Sequence, residues 1–269
     1  MICYDYEPMY ALGSMLGISE PEGFLKLMDQ VEKRGLDSIS TGVVLAWATE
    51  ALEKGVITET ETKGIKLRWG GDYNSYIEAV KSIVDKSDGF YKALARGVEY
   101  AASQYGGKDF ALSFMGNEMP GYHTGPRAHV GVFIGARHSH LDNAGYSIDQ
   151  KVLVNRTLTP DELVENLLKE EYWRQILSSL AICFFARGVY TTDIVIKTLQ
   201  TVGYDFTEND LHKIGVDIHR EKYKFKIREG FNFDDFHIPN RIFGTPTPIS
   251  EFDRDFALKA VEIIKKKIS

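Results

Sequence analysis

The stretch Ser19-Glu-Pro-Glu-Gly-Phe-Leu-Lys-Leu-Met-Asp-Gln-Val-Glu-Lys-Arg-Gly35 sets the fold class. Ser19 and Glu22 have capping-box spacing, and Pro21 falls in the first turn. Phe24, Leu27, Met28 and Val31 share one face at helical spacing, and Gly35 supplies a stop. A helix over about 20–34 follows. The same grammar recurs on the C-terminal side. A second helix is expected from about Ser40 to Lys54, with Val44, Trp47, Ala48 and Leu52 on its stripe. Asp72 can cap a third, and a fourth runs from about Phe90 to Gln104 before Gly106 and Gly107.

Beyond these helices the pattern changes. Residues 113–150 are rich in glycine and hold four of the seven histidines. The short apolar run Val130 to Ile134 suits a strand or buried coil, and periodicity does not decide between them. Helical order returns at Thr159-Pro160, where Glu162 completes another capping box, and continues toward Leu180. Thr207 with Asp210 opens a helix reaching about Lys224. A last amphipathic helix covers about Ser250 to Lys267. About six to eight helices with little strand signal predict a mainly α, multihelical protein of two helical domains around a Gly/His-rich central segment. The expected domains are 1–112 and 113–269.

Composition narrows the function classes. The 43% hydrophobic and 26% charged residues lie in the globular range, against disorder. A formal charge of -6 has the wrong sign for a protein held to nucleic acid by phosphate neutralisation. No apolar stretch approaches the roughly 20 residues of a membrane span. The first residues carry two acids and no basic run, unlike a secretory signal. Two cysteines, Cys3 and Cys183, make no disulfide framework, so the expected compartment is the reducing cytoplasm. Nor can they alone hold an iron–sulfur cluster. Dinucleotide fingerprint, phosphate loop and nucleophile elbow are all absent.

Chemistry-bearing residues are sparse. In Gly135-Ala-Arg-His-Ser-His-Leu-Asp-Asn-Ala-Gly145, alternation would point His138, His140 and Asp142 the same way if the segment were extended. They are readable as metal ligands, as partners of local backbone, or as a histidine proton donor or acceptor. By composition Cys183, ending an apolar run, is a buried small hydrophobe. Glu7, between Tyr6 and Pro8, is either a carboxylate drawn out of water or a solvated loop residue.

Several strings taken together resemble one family. They are Tyr6-Glu-Pro-Met-Tyr-Ala-Leu-Gly13, Gly35-Leu-Asp-Ser-Ile-Ser-Thr-Gly42, Gly64-Ile-Lys-Leu-Arg-Trp-Gly70 and Leu94-Ala-Arg-Gly-Val98. Met115-Gly-Asn-Glu-Met-Pro-Gly-Tyr122 with Pro126-Arg127, and Phe225-Lys-Ile-Arg-Glu-Gly-Phe231 with Ile238-Pro-Asn-Arg241, complete the set. Their order and spacing resemble the tungsten-dependent aldehyde ferredoxin oxidoreductases. Members of that family are longer, with an N-terminal domain that seats a bis-pterin tungsten cofactor and two helical domains over it. This chain resembles those second and third domains, with the junction near residue 112.

The resemblance implies site residues position by position. The family's Asp-x-x-Gly-Leu-Asp pterin motif corresponds to Glu32-Lys-Arg-Gly35-Leu36-Asp37, with Glu in first place. Its Asp-x-x-Gly-Leu-Cys motif corresponds to Ser178-Ser-Leu-Ala181-Ile182-Cys183, with Ser178 replacing an acid. Cys183 matches the fourth ligand of a 4Fe-4S cluster whose other three lie in an upstream segment that this sequence lacks. Glu7 and His140 match the glutamate and histidine near the metal. The implied activity is oxidation of an aldehyde to a carboxylic acid, with electrons passing through tungsten (or molybdenum), pterin and cluster to ferredoxin. The implied partners are an N-terminal pterin-binding half or subunit, ferredoxin and a small aldehyde or oxo substrate, with no nucleic acid and no membrane. The alternatives are an aromatic acyl-CoA reductase-type subunit of the same family and a non-catalytic helical remnant acting as a scaffold.

Overall fold

The computed structural model describes residues 5–86, 89–151, 159–250 and 252–268. Cys3 lies outside them. The fold is mainly α. The chain opens with α1 (Tyr6–Leu12), α2 (Pro21–Lys33), α3 (Ser38–Glu53), α4 (Tyr73–Asp85), α5 (Gly89–Leu94) and α6 (Val98–Tyr105). A small antiparallel hairpin follows, β1 (Ser113–Phe114) and β2 (Asn117–Glu118), pairing Ser113 with Glu118. Then come α7 (Pro126–Ile134), α8 (Gly145–Lys151), α9 (Pro160–Ser179), α10 (Thr192–Thr201), α11 (Glu208–Arg228), α12 (Arg241–Gly244) and α13 (Arg254–Ile268).

These elements form two compact units. The first comprises the residues up to Tyr122 together with Phe236–Thr245; the second comprises His123–Asp235 and the residues from Pro246 onward.

In the first unit α3 is the central element. Trp47, Val43, Val44 and Ala51 are buried along with Tyr76 of α4 and Phe90 and Tyr91 of α5. Their polar atoms are satisfied, as buried ones must be. Tyr76 Oη donates to Arg68 O at 3.0 Å, Tyr91 Oη to Thr62 O at 3.0 Å, and Trp47 Nε1 to Gly107 O at 3.3 Å. Glu50, 6% exposed, forms a two-point ion pair with Arg241 of α12. That pair anchors the returning segment to the first unit.

In the second unit all nine residues of α7 are buried. α7 packs on α8 and α13, and α9 lies against α11 and α13. Leu163, Val164 and Leu167 of α9, Leu211 and Tyr223 of α11, and Ala257, Val261 and Ile264 of α13 are buried.

The structure corrects several expectations. Val130 to Ile134 is helical, neither strand nor coil; with every face buried, no polar side exists to create a period. The helix expected over 90–104 is two: the chain turns at Gly97, φ 94°, and the Glu118 carboxylate accepts from the first amide of α6, Val98 N, at 2.9 Å. The residue capping α2 is Glu20, without a side-chain bond, so the Ser19–Glu22 box does not form. The boxes at Thr159–Glu162 and Thr207–Asp210 do form. Thirteen helices are present among the described residues, several of them short, against six to eight expected.

Candidate functional site

In the first unit Glu7 sits in the first turn of α1, half-buried. Its Oε1 accepts from Tyr122 Oη at 2.6 Å, and Tyr6 stacks on Tyr122 with ring centroids 5.3 Å apart. Neighbouring Asp5 has its carboxyl pushed up, first by burial and then by the charge of Glu7. Glu7 is thus a helical residue held by a phenol, not a solvated loop residue.

The two motifs assigned to pterin share one local geometry. At the end of α2, Leu36 N donates to Val31 O at 3.2 Å and Gly35 N to Glu32 O at 3.0 Å. This is a Schellman stop with Gly35 in the left-handed position at φ 67°. Asp37 then caps α3, accepting from Ser40 N at 2.7 Å, while Glu32 accepts from Ser38 Oγ at 3.1 Å. At the end of α9, Ile182 N donates to Leu177 O at 3.0 Å and Ala181 N to Ser178 O at 3.0 Å. That is the same stop, with Ala181 at φ 55° in place of glycine, and Cys183 begins the next short turn as Asp37 begins α3. The helix-stop chemistry therefore accounts for Gly35, Leu36 and Ile182 without any ligand. Its outward face is still open: Glu32, Gly35, Asp37, Ser178 and Cys183 are exposed, and no atom lies within 4 Å of the place a Gly35 Cβ would take.

An alanine held at positive φ costs about 1–2 kcal/mol. Ala181→Gly is expected to stabilise the second unit by about 1 kcal/mol after the added unfolded-chain entropy is subtracted. Chemical denaturation checks this; a neutral or destabilising result would remove the Schellman assignment at Ala181.

Cys183 is a free, exposed thiol, which corrects the expectation of a buried small hydrophobe. The reason is the stop at Ala181: α9 ends at Ser179, before the cysteine, and Phe185 beyond it is 83% exposed.

The loop after α7 is organised by Asp142, 1% exposed. Its carboxylate accepts from Arg137 N at 2.9 Å, Ser139 N at 3.1 Å and Arg137 Nε at 2.7 Å. His138 Nδ1 donates to Val132 O at 3.0 Å, so its Nε2 is the acceptor nitrogen. His140 is half-buried, its ring 6.1 Å from that of Tyr146. Among the described residues no group of three or more His, Cys, Asp or Glu side chains is placed to hold a metal ion. His138 and Asp142 are thus partners of local backbone, not members of a ligand triad.

The structure also contains a buried charge cluster that the sequence reading missed. Glu171 of α9, fully buried, accepts from Ala136 N at 2.9 Å and Asn143 Nδ2 at 3.2 Å. His219 Nε2 of α11 lies 3.5 Å from its Oε1 and makes no hydrogen bond of its own. Burial, reinforced by the charge of Asp142, pushes Glu171 up to about 8. Burial pushes His138 and His219 down to about 4 and Lys226 down to about 7. A signal was present: Glu171 and His219 continue the four-residue spacing of Leu163 and Leu167 and of Leu211 and Gly215.

With the geometry in place, comparison with known proteins settles the family. A profile described as aldehyde ferredoxin oxidoreductase, domains 2 & 3, matches residues 2–262. The chain belongs to the aldehyde ferredoxin oxidoreductase family. It is similar to the tungsten-containing aldehyde ferredoxin oxidoreductases of Thermococcus kodakarensis and Pyrococcus furiosus, at 29% identity over 259 residues in each case. Those alignments cover 91% of this chain and 42% of each relative, so the chain spans less than half the length of these aldehyde ferredoxin oxidoreductases. A shorter match, 40% over 98 residues, is to an aliphatic sulfonate oxidoreductase, WOR-like subunit, of Pyrococcus furiosus, covering 36% of this chain and 15% of that protein. No helix among the described residues of this aldehyde ferredoxin oxidoreductase family member is long and apolar enough to cross a membrane.

Proposed function

We propose that this chain supplies the counterparts of domains 2 and 3 to an oxidoreductase that converts an aldehyde to a carboxylic acid. An N-terminal pterin-binding half, lying outside this chain, would complete it. The observation that carries the reading is the profile match over residues 2–262, together with the similarity to tungsten-containing aldehyde ferredoxin oxidoreductases. The word subunit in the name of the sulfonate relative supports assembly from more than one chain.

The residues fit such a role. Both motif segments lie at helix C-termini, where leftover carbonyls and the negative end of the helix dipole favour N–H donors such as a pterin amine. Glu32, Gly35, Leu36 and Asp37 would receive one pterin, and Ser178 and Ile182 the other. Cys183 Sγ, exposed and free, would serve as a single thiolate ligand of a 4Fe-4S cluster, the remainder coming from the partner half. When bound, tungsten or molybdenum with its pterins supplies the two-electron chemistry, and the cluster relays electrons to ferredoxin.

The chain's own groups handle protons and orientation. Conversion of R-CHO and water to a carboxylate releases two electrons and three protons. Glu7 Oε2 would accept a proton from the water while Tyr122 Oη holds Oε1 in place. A ring nitrogen of His140 would hydrogen-bond the carbonyl oxygen. Asp142 holds the loop that carries His140, through Arg137 N and Ser139 N. A reducing cytoplasm would keep Cys183 as a thiol.

The test is anaerobic co-expression with the N-terminal half, followed by native mass and metal analysis. A complex heavier than 30.4 kDa containing iron with tungsten or molybdenum is expected. Cys183→Ser should lower its iron and leave the helical content of the chain unchanged. A metal-free chain of 30.4 kDa that never associates would instead favour the scaffold reading, which the serine at position 178 also suits.

A further inference from the structure

The second unit contains a cleft of about 670 Å³ with an apolar surface from Ala136, Ile214, Ile218 and Phe225, and with Arg137, Asp217, Glu221, Lys222 and Lys226 also lining it. Lys226 is held unlike an ordinary surface lysine. Its Nζ lies 3.8 Å from the ring centroid of Tyr223 and 4.1 Å from that of Phe231. It donates to His138 Nε2 at 3.0 Å and to Gly135 O at 3.4 Å. No carboxylate of the described residues comes within ion-pair distance of it. A lysine walled by apolar groups beside an imidazole acceptor, at an open cleft, is arranged to react as an amine.

We propose that Lys226 is a carbonyl-capturing residue, forming a reversible imine with small apolar aldehydes or ketones that enter this cleft. The inference does not rest on the oxidoreductase reading, since it involves neither metal nor pterin. In the capture step the Nζ lone pair attacks the carbonyl carbon. His138 Nε2 takes a proton from nitrogen and returns it to the former carbonyl oxygen, which gains the second nitrogen proton as well and departs as water. Amine and carbonyl give imine and water with no change of oxidation state. The apolar walls favour a short alkyl or aryl substituent over a charged one.

The groups facing Nζ come from three places: Glu171 on α9, Asp142 and His138 on the loop after α7, and Tyr223 and His219 on α11 itself. Glu171 and Asp142 pull its proton affinity up, burial pulls it down, and burial prevails at about 7. At pH 7 about half of Lys226 would be free amine, against on the order of one in 10³ for a solvated lysine.

The experiment treats the full chain with butanal or benzaldehyde and cyanoborohydride at pH 7, then maps the reduced adducts by peptide mass. Lys226 is expected to be modified at least tenfold faster than any other lysine, with a rate that half-saturates near pH 7. Lys226→Arg should remove the fast adduct. In case that variant does not fold, Ile218→Trp, which fills the cleft and keeps the lysine, should slow the reaction with benzaldehyde more than with butanal. Modification at Lys226 no faster than at the surface lysines overturns the proposal, as does a fast adduct that persists in Lys226→Arg.

Discussion

A single added methyl group at Gly145 is expected to destabilise the second unit by about 3 kcal/mol. A Cβ built there would sit 1.9 Å from Arg127 O, 2.5 Å from Arg127 C and 3.1 Å from Ala128 N. All three are backbone atoms of α7, so no rotamer change relieves the contact; α7 and α8 must move apart. α7 is buried along its whole length and cannot shift without opening contacts on its other sides. Overpacking of this kind costs about 1–3 kcal/mol where side chains can adjust, and the upper end applies where they cannot. In a unit of this size Gly145→Ala should lower the melting temperature by roughly 10 °C. Gly188→Ala is the matched control, having no atom within 4 Å of its added Cβ, and should move it by about 2 °C or less. Equal melting of the two variants would contradict the close approach of α7 and α8.

The second large effect is a change in pH dependence at Glu171. Its carboxyl titrates at about 8 when folded and at 4.5 ordinarily. The folded state therefore binds a proton that the unfolded chain has already lost. Stability from this group is complete below pH 4.5 and declines as pH rises to about 8. Glu171→Gln removes that decline while keeping an oxygen for Ala136 N; its amide nitrogen then takes the place of the Oε2 that accepts from Asn143 Nδ2, a pH-independent cost. Relative to the parent, the variant should gain on the order of 3 kcal/mol between pH 5 and pH 8.5. His138 and His219, pushed down to about 4, act in the opposite sense over the acid range, with stability rising from about pH 4 to 6.5. They are common to both proteins and largely cancel in the difference. Urea titrations at several pH values measure it; a pH-independent difference would mean that Glu171 is ionised in the fold.

How far the sequence carried the fold depended on the range of each cue. The boxes at Thr159–Glu162 and Thr207–Asp210 and the Asp72 cap are local, so they were readable and they formed. The break between α5 and α6 was only half readable: Gly97, where the chain turns, is local, but the Glu118 carboxylate that receives Val98 N lies 20 residues away. α7 hid for a different reason: amphipathicity needs a wet face, and it has none. For the candidate site, the family strings were visible while the physical roles of their residues were not. Gly35 and Ala181 turned out to share one helix stop, a relation obscured by the difference between glycine and alanine. The Glu171 cluster was dispersed, with Ala136 35 residues away and Lys226 88 residues from His138.

The return of Phe236–Thr245 to the first unit bears on how the protein is made. A ribosome releases the chain in order, so α3 emerges with Glu50 long before Arg241 exists. At ~5–20 residues per second, the intervening stretch occupies on the order of 10 s. Through that interval Glu50 has the neighbouring Lys54, 3.7 Å from its Oε1, but not the two-point partner, and the final packing waits for the segment that brings Arg241. The second unit's helices up to α11 are synthesised inside the same window. A gene cut after Tyr122 would leave the first unit permanently in that unfinished state, because its last piece would travel with the other half.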